Sequence, residues 1–121
     1  MAIRMIKQAA FYFVVGVLMG MYMSMGSDHS ISSAHAHLNL LGWVSLALCG
    51  IIYYLFPQAA ESRLGRIHYW LHITGVPLMI IGLVGAIKGV MAFYALVPVG
   101  ATALTAGVIL FFVNVLRQIQ R

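Results

Sequence analysis

The chain has 121 residues, fewer than an average domain, so a multidomain enzyme is excluded. Hydrophobic residues make up 63% of it and charged residues 7%, whereas soluble domains are about 45–50% apolar and about 25% charged. This balance excludes an ordinary soluble protein, so the formal net charge of +5 reports orientation in a membrane and not binding of nucleic acid. With a single cysteine, Cys49, there is no disulfide framework and no thiolate metal cluster.

The first apolar segment covers residues 9–25, and its length and lack of charge predict a retained transmembrane span. Two cations precede it, and no clear cleavage site for a secretory signal follows it. Residues 26–33 are rich in Ser and Gly and include Asp28 and His29, a composition that is typical of a loop.

The second and third spans are bounded by residues that stop or interrupt an apolar helix. The second is predicted over about 34–56, because Pro57 ends the apolar run. A charged connection over 58–66 follows, and the third span is predicted over 67–87, where Lys88 ends it.

The fourth span is predicted over about 92–116 and is closed by Arg117 and Arg121. Pro77 lies within a predicted span, where neighbouring helices can satisfy the carbonyl that it frees. The sequence therefore predicts one all-α transmembrane domain of four helices that covers residues 1–121.

The distribution of cations predicts the orientation of these helices. Six of the seven Lys and Arg residues lie in the N-terminal segment, the second loop and the C-terminal segment, whereas only Lys88 lies in the first or third loop. By the positive-inside rule both termini face the cytoplasm, and we expect a multi-pass protein of the cell inner membrane.

The five histidines are the most informative residues, because ionisable side chains within a membrane are costly and usually functional. The predicted orientation places His29 in the first loop and His35 and His37 at the outer end of the second span. It places His68 and His72 near the cytoplasmic end of the third span. The predicted depths separate His37 from His72 by roughly 20 Å, so these two residues of one chain should not share a haem.

The H-A-H sequence has a definite geometry on a helix. Residues two positions apart point about 200° away from each other. His35 and His37 therefore cannot chelate one ion, but they can serve two different sites on opposite sides of the same helix.

The segment A-H-A-H-L-N-L-L-G-W, residues 34–43, resembles the haem-ligating helices of the catalytic subunit of haem-copper oxidases and nitric oxide reductases. The chain as a whole resembles small stand-alone proteins related to that subunit I. The resemblance implies a twelve-helix subunit made of three four-helix units, in which the second helix of each unit supplies cofactor histidines. A four-span chain resembles one third of it, and a homotrimer would restore twelve helices.

The hypothesis that follows is a b-type haem in each gap between subunits, with its iron ligated by His35 of one chain and His37 of its neighbour. Asn39 lies one turn from His35 and is the predicted partner that orients its ring. The expected role is electron transport or haem handling with a quinone or respiratory-chain components. We do not expect the chain to reduce oxygen by itself. It lacks two adjacent histidines for a copper centre, and it has no carboxylate within a span to conduct protons.

An alternative function uses sulfur ligands on the outer face. Thioethers and imidazoles suit Cu(I), and one end of the first span carries alternate methionines with a histidine in the following loop: Met19, Met21, Met23, Met25 and His29. This pattern would fit a copper-binding or assembly factor for respiratory oxidases. Methionines in an apolar helix also serve as packing material, and a structural accessory subunit is a third reading.

A second candidate site lies on the third span. His68 and His72 are four residues apart and share one helical face, next to Tyr69 and Trp70. They could bind a metal or donate a hydrogen bond to a quinone carbonyl. The structural alternative is that they anchor the helix at the interface as part of an aromatic belt.

Overall fold

The computed structural model describes residues 1–26 and 29–120, and all regular elements within these ranges are helical. Four helices are long and apolar enough to cross a membrane, and we call them the first to fourth spans: Ala2–Met25, Ser32–Leu55, Arg63–Ile87 and Met91–Gln118. The prediction of four transmembrane helices is confirmed. Asp28 of the predicted first loop and Arg121 of the predicted C-terminal boundary lie outside the described residues.

The helices begin earlier than hydrophobicity alone predicts. The first starts at Ala2 instead of residue 9, and the third starts at Arg63 instead of residue 67. Ser62 sets the start of the third span, because its Oγ accepts a hydrogen bond of 3.0 Å from the backbone N–H of Gly65. The histidines of this span therefore lie about one turn farther from the helix end than expected.

The second span is not a uniform helix. It is α-helical over Ser32–His37, π-helical over Leu38–Ser45 and α-helical again over Leu46–Leu55. A π-helical segment is wider than an α-helix and often marks a functional site. The span ends before Pro57, as predicted, and that proline begins a short helix, Pro57–Glu61.

The third and fourth spans approach each other closely at glycines. A Cβ on Gly100 would lie only 2.6 Å from the backbone nitrogen of Met79, and one on Gly75 would lie 2.9 Å from Cγ of Leu104. Small residues allow such approach in a membrane, where lipid offers no hydrophobic drive for association. This contact fixes the third span, and thus the positions of His68 and His72.

The interior holds both apolar and polar side chains. A cluster at the end of the bundle near the N-terminus consists of Met5, Ala9, Leu46, Cys49, Tyr53, Ala59 and Tyr69. The fully buried polar residues are His68, His72 and Asn114. Asn114 accepts a hydrogen bond from the Ser62 hydroxyl and donates one to the Ala59 carbonyl, at 2.6 and 2.8 Å. It thereby ties the fourth span to the connection between the second and third.

Candidate functional site

The side chain of His35, on the second span, packs against the first span. A Cβ on Gly20 would lie 3.1 Å from Cε1 of its ring, and a Cβ on Gly16 would lie 2.5 Å from Oδ1 of Asn39. The two glycines of the first span thus leave the space that His35 and Asn39 occupy. Removing that space would push both polar side chains out of position.

The predicted contact between Asn39 and His35 is present. The Asn39 amide nitrogen donates a hydrogen bond of 2.9 Å to the His35 carbonyl and lies 3.3 Å from Nδ1 of the ring. An amide NH₂ group only donates, so Nδ1 accepts here and Nε2 carries the ring proton. Iron ligation through Nε2 would need the other tautomer, with the Asn39 oxygen turned toward the ring.

The His37 ring carries its proton on the other nitrogen. Its Nδ1 lies 2.7 Å from the backbone carbonyl of Ser33. A carbonyl only accepts, so Nδ1 carries the proton and Nε2 retains its lone pair. A ring that is oriented through one nitrogen and free at the other is the usual form of a metal-ligating histidine.

A cavity of about 340 Å³ lies beside His37. Its wall is largely apolar and comes from the second, third and fourth spans: His37, Leu41, Met79, Ala101, Leu104, Thr105, Val108 and Ile109. His35 faces the first span, whereas His37 faces this cavity. The two histidines of H-A-H thus have different neighbours, which is what their spacing on a helix predicts.

A second group of side chains lies inside the bundle, and we call it the inner cluster: Cys49, Tyr53, His68 and His72. The Tyr53 hydroxyl lies 2.8 Å from Nδ1 of His68, whose Nε2 lies 3.1 Å from Nδ1 of His72. Nε2 of His72 lies 2.9 Å from the backbone carbonyl of Leu41 in the π-helical segment. Tyr53 and the two histidines expose no more than 1% of their surface.

The Leu41 carbonyl fixes the direction of this hydrogen-bond chain. It only accepts, so His72 donates through Nε2 and accepts through Nδ1 from His68. Nδ1 of His68 must then accept the Tyr53 hydroxyl proton. Both histidines are satisfied as neutral rings, and a quinone carbonyl could bind here only by displacing one of these partners.

The predicted separation of His37 and His72 is wrong. His72 reaches the Leu41 carbonyl, and Leu41 lies one turn from His37, so the His72 ring is within about two turns, or about 11 Å, of His37. The estimate of roughly 20 Å failed because the third helix starts at Arg63 and because the His72 side chain extends across to the second span.

Cys49, like Tyr53, is an inner-cluster residue that the sequence analysis did not connect with the histidines. Its Sγ and one nitrogen each of His68 and His72 all lie within 4.8 Å of one another, and all three residues are buried. Cys49 lies on a different span, and no spacing in the sequence links it to residue 68. The available signal was its position one turn before Tyr53 on the second span.

The residues of the predicted outer copper site occupy different surroundings. Met21 and Met25 are 54% and 80% exposed, whereas Met19 and Met23 are half-buried. His29 is exposed and precedes the second span. On the third span, Trp70 is exposed but Tyr69 is buried, so only Trp70 lies where an interfacial aromatic belt would place it.

The comparisons with known proteins give a partial relationship. The chain is 40% identical over 53 residues to cytochrome c oxidase subunit 1 of Corynebacterium efficiens and 38% identical over 53 residues to that of Corynebacterium glutamicum. Each alignment covers 40% of this chain and 9% of the oxidase subunit. No protein-family model and no solved structure matches. The chain is a membrane protein with a segment related to haem-copper oxidase subunit I.

Proposed function

We propose that this chain binds haem b in a homotrimer of the inner membrane, with His35 of one protomer and His37 of the next ligating each iron. The observation that carries the proposal is the divergence of the two rings, which gives each side of the second span one imidazole. Its role would be electron transfer or haem handling, with a quinone or a respiratory-chain component as partner.

The surroundings of His37 fit a haem ligand. The Ser33 carbonyl holds the Nδ1 proton and leaves Nε2 for iron. The adjacent cavity has small side chains, Ala101 and Thr105, which leave room for a flat apolar ring system. A bound haem would supply one-electron redox chemistry, and the chain's own contribution is to orient the ligand and exclude water.

The surroundings of His35 fit after one local change. Its ring is half-buried against the first span. The Asn39 side chain would have to give up its hydrogen bond to the His35 carbonyl and present Oδ1 to Nδ1, which would then hold the ring proton and release Nε2 for iron. Asn39 is therefore a positioning residue in this proposal.

A closed ring of chains is compatible with the two ring directions, and its threefold order comes from the resemblance to a twelve-helix subunit. A closed ring of identical chains uses the same two unlike surfaces at each contact. If His35 lies at one surface and His37 at the other, every gap receives one of each. The cations at the end of the bundle that carries Arg4, Arg63 and Arg117 favour a cytoplasmic location for both termini and an outer location for the haems.

Optical spectroscopy of the detergent-purified protein tests this proposal. Reduced-minus-oxidised spectra should show the bands of a low-spin b-type haem, and His35→Ala or His37→Ala should remove them. Thr74→Ala is the control, because the Thr74 hydroxyl is exposed and donates to the Trp70 carbonyl of its own helix, on a different span from both histidines. A protein that binds no haem, or that keeps low-spin bands without either histidine, would overturn the proposal.

A copper-binding or assembly role is the second candidate. It is favoured by two exposed thioethers one turn apart, those of Met21 and Met25. This function predicts a colourless protein with stoichiometric copper that is lost in Met21→Leu and Met25→Leu. Copper retained in both variants would contradict it.

A further inference from the structure

The inner cluster takes no part in the proposed haem site, yet it has the properties of a ligand set. Cys49, His68 and His72 are buried, and their donor atoms lie within 4.8 Å of one another. Among residues 1–26 and 29–120 no hydrogen bond to the Cys49 sulfur is found. The cluster therefore offers a buried sulfur beside two imidazoles.

The distances between the donor atoms are close to those around a single ion. Two ligands that each bind at about 2.0–2.3 Å lie roughly 3.5 Å apart in a trigonal or tetrahedral site. Nε2 of His68 and Nδ1 of His72 are 3.1 Å apart. The sulfur, at no more than 4.8 Å, would need to move by about 1 Å, which rotation of a side chain can provide.

The outer nitrogens of the two rings already have the partners that metal-ligating histidines require. Nε2 of His72 donates to the Leu41 carbonyl, and Nδ1 of His68 lies 2.8 Å from the Tyr53 oxygen. Such partners fix the ring orientation and its tautomer. The inner nitrogens of the two rings face each other across one shared proton, and both rings would turn slightly to bind an ion between them and the sulfur.

Binding of an ion can be balanced with the loss of one proton. The proton between the rings would move from Nε2 of His68 to Nδ1 and be donated to the Tyr53 oxygen. The Tyr53 oxygen would accept this bond, and its hydroxyl hydrogen would rotate away from His68. Both histidines stay neutral, and the only proton released to solvent is that of the Cys49 thiol as the metal–sulfur bond forms.

Charge and ligand type select the ion. A thiolate and Cu(I) together have no net charge, whereas a thiolate and a divalent ion would leave a positive charge in the apolar interior at a high cost. Among single ions thiolate ligands suit Cu(I) and Zn²⁺, and the charge argument favours Cu(I) of these two. We infer that Cys49, His68 and His72 of a single protomer bind one Cu(I) ion, independently of the haem.

The structure also provides an approach to the site. Tyr53 forms part of the wall of an open cavity of about 560 Å³ at the end of the bundle that carries Met1 and Arg66. The other side of the same Tyr53 residue contacts His68. Tyr53 is therefore a point of contact between this cavity and the cluster.

The test is an anaerobic titration of the haem-free, detergent-purified full chain with Cu(I) against a colourimetric Cu(I) chelator. We expect one ion per chain, released at least about tenfold more readily from Cys49→Ser and His72→Ala, with copper X-ray absorption showing one sulfur and two nitrogen ligands. Met21→Leu is the control and should bind as the parent does.

Several results would overturn this inference. One is an unchanged affinity of Cys49→Ser for Cu(I), and another is loss of copper in Met21→Leu alone. A third is tighter binding of Zn²⁺ than of Cu(I) by Cys49, His68 and His72. Circular dichroism in detergent shows whether each variant retains its helices.

Tyr53→Phe is a milder variant, which should keep the stoichiometry of copper and lower the affinity for it, because His68 loses its partner. Because the protein carries no haem in this assay, its outcome is separate from that of the proposed function.

Discussion

The outer histidine pair and the inner cluster use the same side chains in opposite ways. His35 and His37 are half-buried, each is held by a residue of its own helix, and their rings diverge. His68 and His72 are buried, converge, and engage all four ring nitrogens within one chain. In the proposed function the outer pair needs a second molecule to complete a site, whereas the proposed copper site uses residues of a single protomer.

The spacing in the sequence explains the difference. Two residues two positions apart lie on opposite sides of a helix, and two residues four apart lie on the same side. The π-helical segment adds the Leu41 carbonyl as a partner for the inner pair. Four experiments test whether the two groups of histidines act separately.

The largest expected effect is the loss of haem from His37→Ala. The substitution removes the imidazole whose free nitrogen faces the cavity, so the b-type bands should disappear while Cu(I) binding stays at one ion per chain. Difference spectra and copper titration on the same preparation check it. Bands that persist would show that the outer pair does not ligate iron.

His72→Ala should weaken copper binding and leave haem binding unchanged. This variant should release Cu(I) at least about tenfold more readily and should keep the haem spectrum, because the His72 nitrogens are directed to His68 and Leu41 and not to the cavity. The same two measurements apply. Loss of the haem bands would show that the two sites are not separate.

A packing variant tests the scaffold of the inner cluster. The Cβ of Gly100→Ala would lie 2.6 Å from the Met79 backbone nitrogen, so we expect a loss of about 1–3 kcal/mol in the free energy of unfolding. Thr102→Ala is the control, because Thr102 is an exposed residue of the same helix. Thermal unfolding in detergent measures both, and equal stability of the two variants would contradict the tight contact.

The smallest effect concerns the orientation of His35. Asn39→Ala removes the amide beside Nδ1 and should weaken haem binding by about 10-fold to 100-fold while leaving the low-spin bands in place at saturating haem. Titration with haem checks it. Unchanged affinity would show that Asn39 only packs against Gly16.

The sequence was sufficient for the parts that depend on local pattern. Length and hydrophobicity predicted four spans, Pro57 predicted the end of the second, and the H-A-H spacing predicted diverging rings. It was insufficient where distant segments meet. Cys49 and Tyr53 join His68 only after the second and third spans pack together, which no short-range spacing records.

The error in depth had a local cause. The span predicted from residue 67 begins at Arg63, because Ser62 caps a helix turn that contains two arginines and is therefore not apolar. The π-helical segment was also outside prediction, since no residue in Leu38–Ser45 is specific to that geometry. The early start of the third helix and the π-helical segment together place the His72 ring next to the Leu41 carbonyl.

Mixed assemblies of His35→Ala and His37→Ala chains test the central claim most directly. Neither variant alone should bind low-spin haem, because every gap would lack one ligand. In a trimer that contains both kinds of chain, one gap receives His35 from a His37→Ala protomer and His37 from a His35→Ala protomer. The account predicts the return of b-type bands with one haem per mixed trimer, and verified mixed trimers without these bands would contradict it.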